Sequence, residues 1–165
     1  SKNNFAFYSP EMEKADYKFQ AQRLMSLQSI KKFETSELRY LLDAISDLYQ
    51  LVLGMNLSTN DYFLMDEVQD GVFAKLPPYG LMDDFVELTV QGVHPQDREG
   101  FKEKLSRNAL LASYEEGAGS VHHYFRFRRE EAWAWVEASV VFYTNESGDV
   151  CDFTLVRWAD DRENG

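Results

Sequence analysis

The chain has 165 residues, a formal net charge of −11 at pH 7 and a single cysteine. The length allows one globular domain with an appendage, and a hydrophobic share of 44% excludes wholesale disorder. So acidic a surface repels phosphate backbones and anionic membranes, and one cysteine excludes both an intrachain disulfide and a cysteine-based metal cluster.

The lone cysteine also fits a reducing compartment. No apolar run approaches the length needed to span a membrane. We therefore expect this part of the protein to be cytoplasmic, with neither a nucleic acid nor a membrane as its partner.

A short apolar segment at residues 4–8 opens the chain, and a helix start follows it. Ser9 can cap, and Pro10 suits the first helical position. The stretch from residue 12 to about residue 32 contains neither glycine nor proline. This pattern predicts a long N-terminal helical segment.

A second helix is predicted to begin at Thr35 or Ser36. Its apolar residues recur at steps of three and four and so share one face: Leu38, Leu41, Leu42, Ile45, Leu48 and Tyr49. The face fits a helix packed on its own domain, and it fits equally the seam of a parallel dimer. The pattern spans too few turns to establish a coiled coil.

After residue 48 the spacing of the apolar residues changes from helical steps to alternation. Residues 51–55 and 62–65 predict two strands joined by the turn residues 58–61. The Pro-Pro-Tyr-Gly sequence at 77–80 is a break, and residues 81–90 predict a helix. After a tight corner at 94–98, residues 97–115 predict a longer helix that buries Phe101 and Leu105.

The last third predicts three strands, at residues 121–128, 132–143 and 150–158, with a hairpin turn at 145–149. The order of elements predicts an α+β fold. We expect an antiparallel five-stranded sheet with helices on one face, preceded by the long N-terminal helical segment.

The strand at 132–143 separates its side chains onto two faces. Val136 and Ala138 belong to a set of mostly small apolar residues that suits the side under the helices, whereas Trp133 and Trp135 face the other way. Tryptophans on an outward face are usually covered. We expect the long N-terminal helical segment, or a helix of a second protomer, to cover these two tryptophans.

The histidines give weak signals of chemistry. His94, in the corner, is expected to hydrogen-bond to backbone. His122 and His123 are neighbours on a strand, so they point to opposite faces and cannot ligate one metal. His123 has the parity of Phe125 and Phe127, so it is either a satisfied core histidine or a polar anchor inside a ligand cavity.

These features together resemble a PAS domain. The resemblance rests on a His-Pro-x-Asp-Arg corner at 94–98, an aromatic-arginine strand at 124–128, a Trp-Val-Glu sequence at 135–137 and a glycine turn at 147–149. It covers residues 46–161. One departure occurs at the end, where Trp-Ala-Asp-Asp at 158–161 replaces the Asp-Ile-Thr that often closes the family's last strand.

Residues 2–8 are similar to the closing strand of a GGDEF domain, the diguanylate cyclase module of bacteria. This implies a remnant of an upstream domain at 1–8 and a helical connector at 9–45. The PAS-like domain then occupies 46–161, and a downstream linker begins at 162–165.

The PAS resemblance implies a sensory module that dimerises and passes a stimulus through its flanking helices to an effector domain in the same chain. The expected ligand-binding residues are Phe101, His123, Phe125, Phe127, Val136 and Ala138. The expected dimer and relay residues are Leu38, Leu41, Leu42, Ile45, Leu48, Trp133 and Trp135.

No cofactor is expected. Haem-binding PAS domains usually take a histidine from the long helix, which has none here, and the photoreactive cysteine of light-sensing relatives has no counterpart because Cys151 lies on the last strand. Catalytic motifs and metal-ligand spacings are missing, so an enzyme is not expected. Two alternatives remain: a ligand-free structural relay, and a small cone-shaped isomerase that uses His123.

Overall fold

The computed structural model of the chain describes residues 35–65 and 72–159. The expectations for the apolar opening segment, the first helix and the downstream linker lie outside the described residues. So do those for Asp160 and Asp161 and for the side chains of Leu38 and Leu42.

The described residues form four α-helices and six strands. The helices are α1 (Thr35–Leu48), α2 (Met82–Gly92), α3 (Arg98–Leu105) and α4 (Arg107–Glu115). The strands are β1 (Leu51–Asn56), β2 (Asp61–Leu64), β3 (Tyr79–Leu81), β4 (Ser120–Arg129), β5 (Ala132–Thr144) and β6 (Val150–Trp158). Short 3-10 turns occupy Val72–Lys75 and Pro95–Asp97.

The strands form one antiparallel sheet in the order β3-β2-β1-β6-β5-β4. The first and last of the described strands, β1 and β6, therefore lie side by side in its centre. Helices α2, α3 and α4 pack on one face, where their apolar side chains meet those of the sheet. The predicted α+β architecture, an antiparallel sheet with helices on one face, is confirmed.

The sheet has six strands where five were predicted. The sixth, β3, is a three-residue edge strand that pairs with β2. We expected only a break here, because two prolines and a glycine weaken any strand pattern. Tertiary contacts prevail: Pro78 C=O accepts from Leu64 N–H at 2.8 Å, and Asn60 C=O accepts from Met82 N–H at 2.9 Å.

The long helix predicted at 97–115 is divided at Ser106, which has extended backbone angles. Its hydroxyl accepts a hydrogen bond from Ala109 N–H at 3.3 Å and so caps α4. Serine favours this role because its oxygen satisfies an amide that has no partner within the helix. After the division, α3 buries Phe101 and Leu105, and α4 buries Leu110.

Close packing between α2 and the sheet allows only glycine at position 92. A β-carbon on Gly92, the last residue of α2, would lie 2.4 Å from the ring of Phe127. Only glycine allows that ring to lie against the helix backbone, so this contact holds the end of α2 on β4. Val93, the next residue, forms an isolated antiparallel bridge with Phe127.

The chain divides into two compact units between Ala44 and Ile45. The second unit contains the sheet, α2, α3 and α4. The predicted domain boundaries remain predictions. Among the described residues, no helix has the length and apolar character that crossing a bilayer requires.

Candidate functional site

A small cavity lies between the sheet and α2, α3 and α4. Its volume is about 30 Å3, and its walls are almost wholly apolar. By the same measure a water molecule needs roughly 10–15 Å3, so the cavity has room for about two. The walls are formed by Met55, Phe85, Val86, Thr89, Phe101, Leu105, Leu110, Phe125, Ala138, Val140, Thr154 and Val156.

Three of the six predicted ligand-binding residues lie on this cavity wall. They are Phe101, Phe125 and Ala138, all buried. The rings of Phe101 and Phe125 meet edge to face, with centroids 5.0 Å apart. Phe127 and Val136 are equally buried but belong to the packed core away from the cavity.

The sixth predicted ligand residue, His123, also lies away from the cavity wall. It is half-buried, and its ring stacks at 6.1 Å on Phe125. A β-carbon on Gly100 of α3 would lie 3.9 Å from its Nε2 atom. Burial, with the nearby charge of Lys104, lowers the pKa of His123 despite the opposing charge of Asp97. His123 is thus held neutral beneath α3.

A buried carboxyl that sequence reasoning missed lies on β6. Asp152 is 0% exposed, and its neighbours across the sheet are Met55 and Phe142. Its Oδ1 accepts a hydrogen bond from the Thr154 hydroxyl at 2.7 Å, and its Oδ2 has no partner among the described residues. The strand's alternation could have revealed it, since Asp152 shares parity with Thr154 and Val156.

The predicted corner is a compact hydrogen-bonded unit. His94 Nδ1 accepts from Gln96 N–H at 3.1 Å, as expected for a histidine that binds backbone. Asp97 receives both the Nε and Nη2 donors of Arg126 at 2.8 Å, and the Arg126 backbone N–H at 2.9 Å. Arg98 donates to the Val93 carbonyl at 2.9 Å.

This corner joins the helices to the edge of the sheet. The Arg126 hydrogen bonds outweigh burial and lower the pKa of Asp97, so the carboxylate stays ionised. His94 N–H donates to the Arg126 carbonyl at 2.9 Å, which extends the pairing along β4. The His-Pro-x-Asp-Arg sequence is therefore a structural clamp.

The outer face of the sheet carries the two predicted tryptophans. Trp133 is 39% exposed, and its ring lies 4.7 Å from His94 on one side. The Arg128 guanidinium lies 4.8 Å from the Trp133 ring centroid, and that of Arg126 lies 5.4 Å from Trp135. Such contacts between cations and aromatic faces are attractive and stabilise the two rings.

A charged network crosses the same face. Glu137 accepts from Arg157 Nε at 2.6 Å and from the Tyr124 hydroxyl at 2.8 Å. Burial alone would raise the pKa of Glu137, but these two hydrogen bonds outweigh it and lower the pKa. Because the network spans β4, β5 and β6, it couples the central strand β6 to the edge of the sheet.

The predicted seam on α1 is partly exposed. Leu41 is 56% exposed and Leu48 is 68% exposed, and these two leucines are seven residues apart on one helix face. Ile45, between them, is half-buried. On this helix face the two leucines at heptad spacing are therefore open to solvent.

The chain enters and leaves the sheet at one place. Gln50 follows α1, and its N–H donates to the Val156 carbonyl at 2.8 Å. Its side-chain Oε1 accepts from Trp158 N–H, at the end of β6, at 3.1 Å. A single residue therefore links the start of β1 to the end of β6.

Within residues 35–65 and 72–159, no group of three or more His, Cys, Asp or Glu side chains could hold a metal ion. Cys151 is buried, and burial raises the pKa of its thiol to about 11. It is a protonated, inert packing residue at neutral pH.

Neither a protein-family model nor a curated protein matches the sequence. Several solved structures resemble the described fold. One is a sensory box histidine kinase/response regulator from Burkholderia thailandensis, with 18% identity and a TM-score of 0.46, covering 76% of this chain and 88% of that one.

Two further structures are similar. The N-terminal domain of a diguanylate cyclase with PAS/PAC sensor from Marinobacter aquaeolei has 16% identity and a TM-score of 0.43, covering 70% of this chain and 98% of that one. An RNA-binding light-oxygen-voltage receptor has 14% identity and a TM-score of 0.47. That match covers 68% of this chain and 30% of the receptor.

Proposed function

We propose that the chain is a non-catalytic PAS-type relay that works as a homodimer. In this proposal it couples its flanking helices to an effector domain in the same protein. The observation that carries the proposal is the junction at Gln50, which bonds both to Val156 and to Trp158. Any change in α1 that moves Gln50 must alter the end of β6, where the chain continues towards the effector.

The open leucine pair on α1 supports dimerisation. Leu41 and Leu48 lose contact with water when a second α1 lies against them, which stabilises the pair by roughly 25 cal/mol for each Å2 of apolar area buried. The Trp133 and Trp135 face offers further area for a second protomer. Leu38, Leu42 and Ile45 complete the proposed seam.

The cavity size favours a relay that needs no organic ligand. About 30 Å3 is far below the few hundred Å3 that drug-sized ligands occupy. Binding of a haem, a flavin or another large ligand would require Phe101, Phe125 and their neighbours to move apart. The isomerase alternative gains no support, because His123 does not line the cavity.

The buried, protonated cysteine agrees with a reducing compartment such as the cytosol, which we propose as the location. The effector class to test first is an enzyme of cyclic-di-GMP signalling, since residues 2–8 resemble a GGDEF strand.

Native mass spectrometry of the purified chain tests the proposal. It reports the oligomeric state and any retained small molecule together, and we expect a dimer without ligand. Leu41→Glu combined with Leu48→Glu should raise the dimer dissociation constant at least about tenfold, because it places carboxylates in an apolar seam.

Leu81→Glu is the matched control for this experiment. Leu81 is also an exposed leucine, at 48%, but it lies on the edge strand β3. It should leave the dimer intact. A strictly monomeric wild-type chain, or equal weakening by the control, would contradict the dimer proposal.

A further inference from the structure

One side chain on the buried face of the sheet has no role in the proposed relay. Asp152 is fully buried on β6, the strand that leads out of the sheet. The residues opposite it are Met55 on β1 and Phe142 on β5, both apolar. An aspartate in such surroundings costs folding free energy when it is ionised, so its presence needs an explanation.

The hydrogen bonding of Asp152 suits the protonated acid. An ionised carboxylate accepts at two oxygens, but only Oδ1 has a donor, the Thr154 hydroxyl at 2.7 Å. Oδ2 has no partner among the described residues. A proton on Oδ2 removes the charge and turns an unsatisfied acceptor into a neutral hydroxyl, which is less costly to bury.

The charged and titratable groups on the neighbouring elements do not compensate Asp152. On α4, Arg107 donates instead to the Leu57 and Ser58 carbonyls, and the Tyr114 ring packs edge-on against Phe142. On β5, Tyr143 stacks on Phe153 on the opposite face. β1 carries no titratable residue.

The remaining titratable groups lie on β6 itself and in the turn before it. Cys151 points to the other face and holds a neutral thiol. The Asp149 carboxylate accepts from Asn56 Nδ2 at 3.0 Å. Burial, opposed only by the Thr154 hydrogen bond, raises the pKa of Asp152 to about 7.

We propose that Asp152, with Thr154, is a proton-binding site through which the domain responds to pH near neutrality. The inference rests on the proposed relay, for which it names the stimulus. When the Asp152 proton passes to water, an uncompensated charge remains between β1 and β5. The domain then favours a second arrangement in which β6 shifts and the carboxylate gains water.

The cavity beside Thr154 has almost wholly apolar walls, so it can hold that water only once the shifted, ionised carboxylate supplies a hydrogen-bond partner. It has room for about two molecules, and Thr154 forms part of its wall. The shift reaches the output end because the same strand carries Val156 and Trp158, which Gln50 bonds. A group that titrates at about 7 goes from about one tenth ionised at pH 6 to about nine tenths at pH 8.

Carbon NMR of the aspartate carboxyls in the 165-residue chain tests this site. We expect one aspartate to titrate with a midpoint near neutrality, together with amide shifts in β1, β5 and β6. Asp152→Asn mimics the neutral acid and should abolish both titrations between about pH 5 and about pH 9. Glu103→Gln, the same change of carboxyl to amide at an exposed site, should retain both.

Thr154→Val tests the site by a second route that keeps the carboxyl. Without the hydroxyl that stabilises the ionised form, the midpoint should rise by on the order of one pH unit. The proposal is overturned if no aspartate titrates near neutrality in the wild type, if Asp152→Asn retains the amide transition, or if Thr154→Val leaves the midpoint unchanged.

Native mass spectra of the same samples separate this proposal from the relay. A dimer at every pH with no aspartate titrating near neutrality would overturn the proton site alone. A monomer whose Asp152 titrates as expected would overturn the dimeric relay and leave the proton site standing.

Discussion

At the scale of single residues, the corner before α3 shows how one carboxylate organises a connection. Asp97 satisfies three donors of Arg126, two from the guanidinium and one from the backbone. Charge-assisted bonds of this bidentate kind are stronger than neutral ones, and both side chains are partly buried. Asp97 therefore fixes how the corner sits on β4.

Asp97→Asn should lower the free energy of unfolding by about 1–3 kcal/mol, because an amide supplies one oxygen where the carboxylate supplies two. Urea denaturation at neutral pH measures the change. Asp84→Asn, the same substitution at an exposed position on α2, should cost less than about 0.5 kcal/mol. An equal loss in the free energy of unfolding for the two variants would show that Asp97 does not clamp the corner to β4.

The pH dependence of the clamp has a definite sign. The folded pKa of Asp97 lies below its unfolded value, chiefly because of the Arg126 hydrogen bonds. Its stabilisation is therefore complete above the unfolded pKa and is lost as the pH falls through the folded pKa. In Asp97→Asn this part of the acid sensitivity should disappear.

At the scale of elements, the junction of α1, β1 and β6 depends on one side chain. Gln50→Ala removes the acceptor for Trp158 N–H but keeps the backbone bond from Gln50 to Val156. We expect amide exchange at residues 157–159 to become up to about tenfold faster, which corresponds to the net value of one hydrogen bond.

Hydrogen exchange read by mass spectrometry or NMR tests this expectation, with Gln91→Ala as the control. Gln91 is also an exposed glutamine, at the end of α2, and it accepts a hydrogen bond from Arg98 through its backbone carbonyl. Unchanged exchange in Gln50→Ala would show that the side chain does not hold the end of β6.

Some helices and strands could be predicted from their own residues, and others could not. The strands β5 and β6 and the helix α1 were predicted to within a few residues, because alternation and helical spacing are strong in each. The edge strand β3 and the division at Ser106 were not. The strand β3 depends on its pairing with β2, and the division depends on the cap that the Ser106 side chain forms. The periodicity of apolar residues reveals neither.

At the scale of the whole molecule, opposing ionisations set the dependence of stability on pH. The pKa of Asp152 is raised in the folded state, so its contribution is complete below the unfolded value near 4 and is lost as the pH rises to about 7. Glu137 and Asp97, with lowered pKa values, act in the opposite direction at acid pH.

Between about pH 4 and about pH 7, Asp152 should therefore lower the free energy of unfolding by a few kcal/mol as the pH rises. Asp152→Asn should lose this slope, while Glu103→Gln should keep it. Urea melts at four or five pH values measure both. A slope unchanged in Asp152→Asn would show that the carboxyl ionises in the folded state without penalty.

The sequence by itself determined the α+β class, the antiparallel sheet with helices on one face, the corner motif and the face of each β5 residue. Short-range sequence patterns predict these features: the alternation of apolar and polar residues, helical spacing, helix caps and turns. Only the tertiary structure decided the size of the cavity and the exclusion of His123, Phe127 and Val136 from its wall. Only it showed that Asp152 is buried with no partner for Oδ2 among the described residues, and that Gln50 bonds to β6, since burial and contact depend on which other parts of the chain pack nearby.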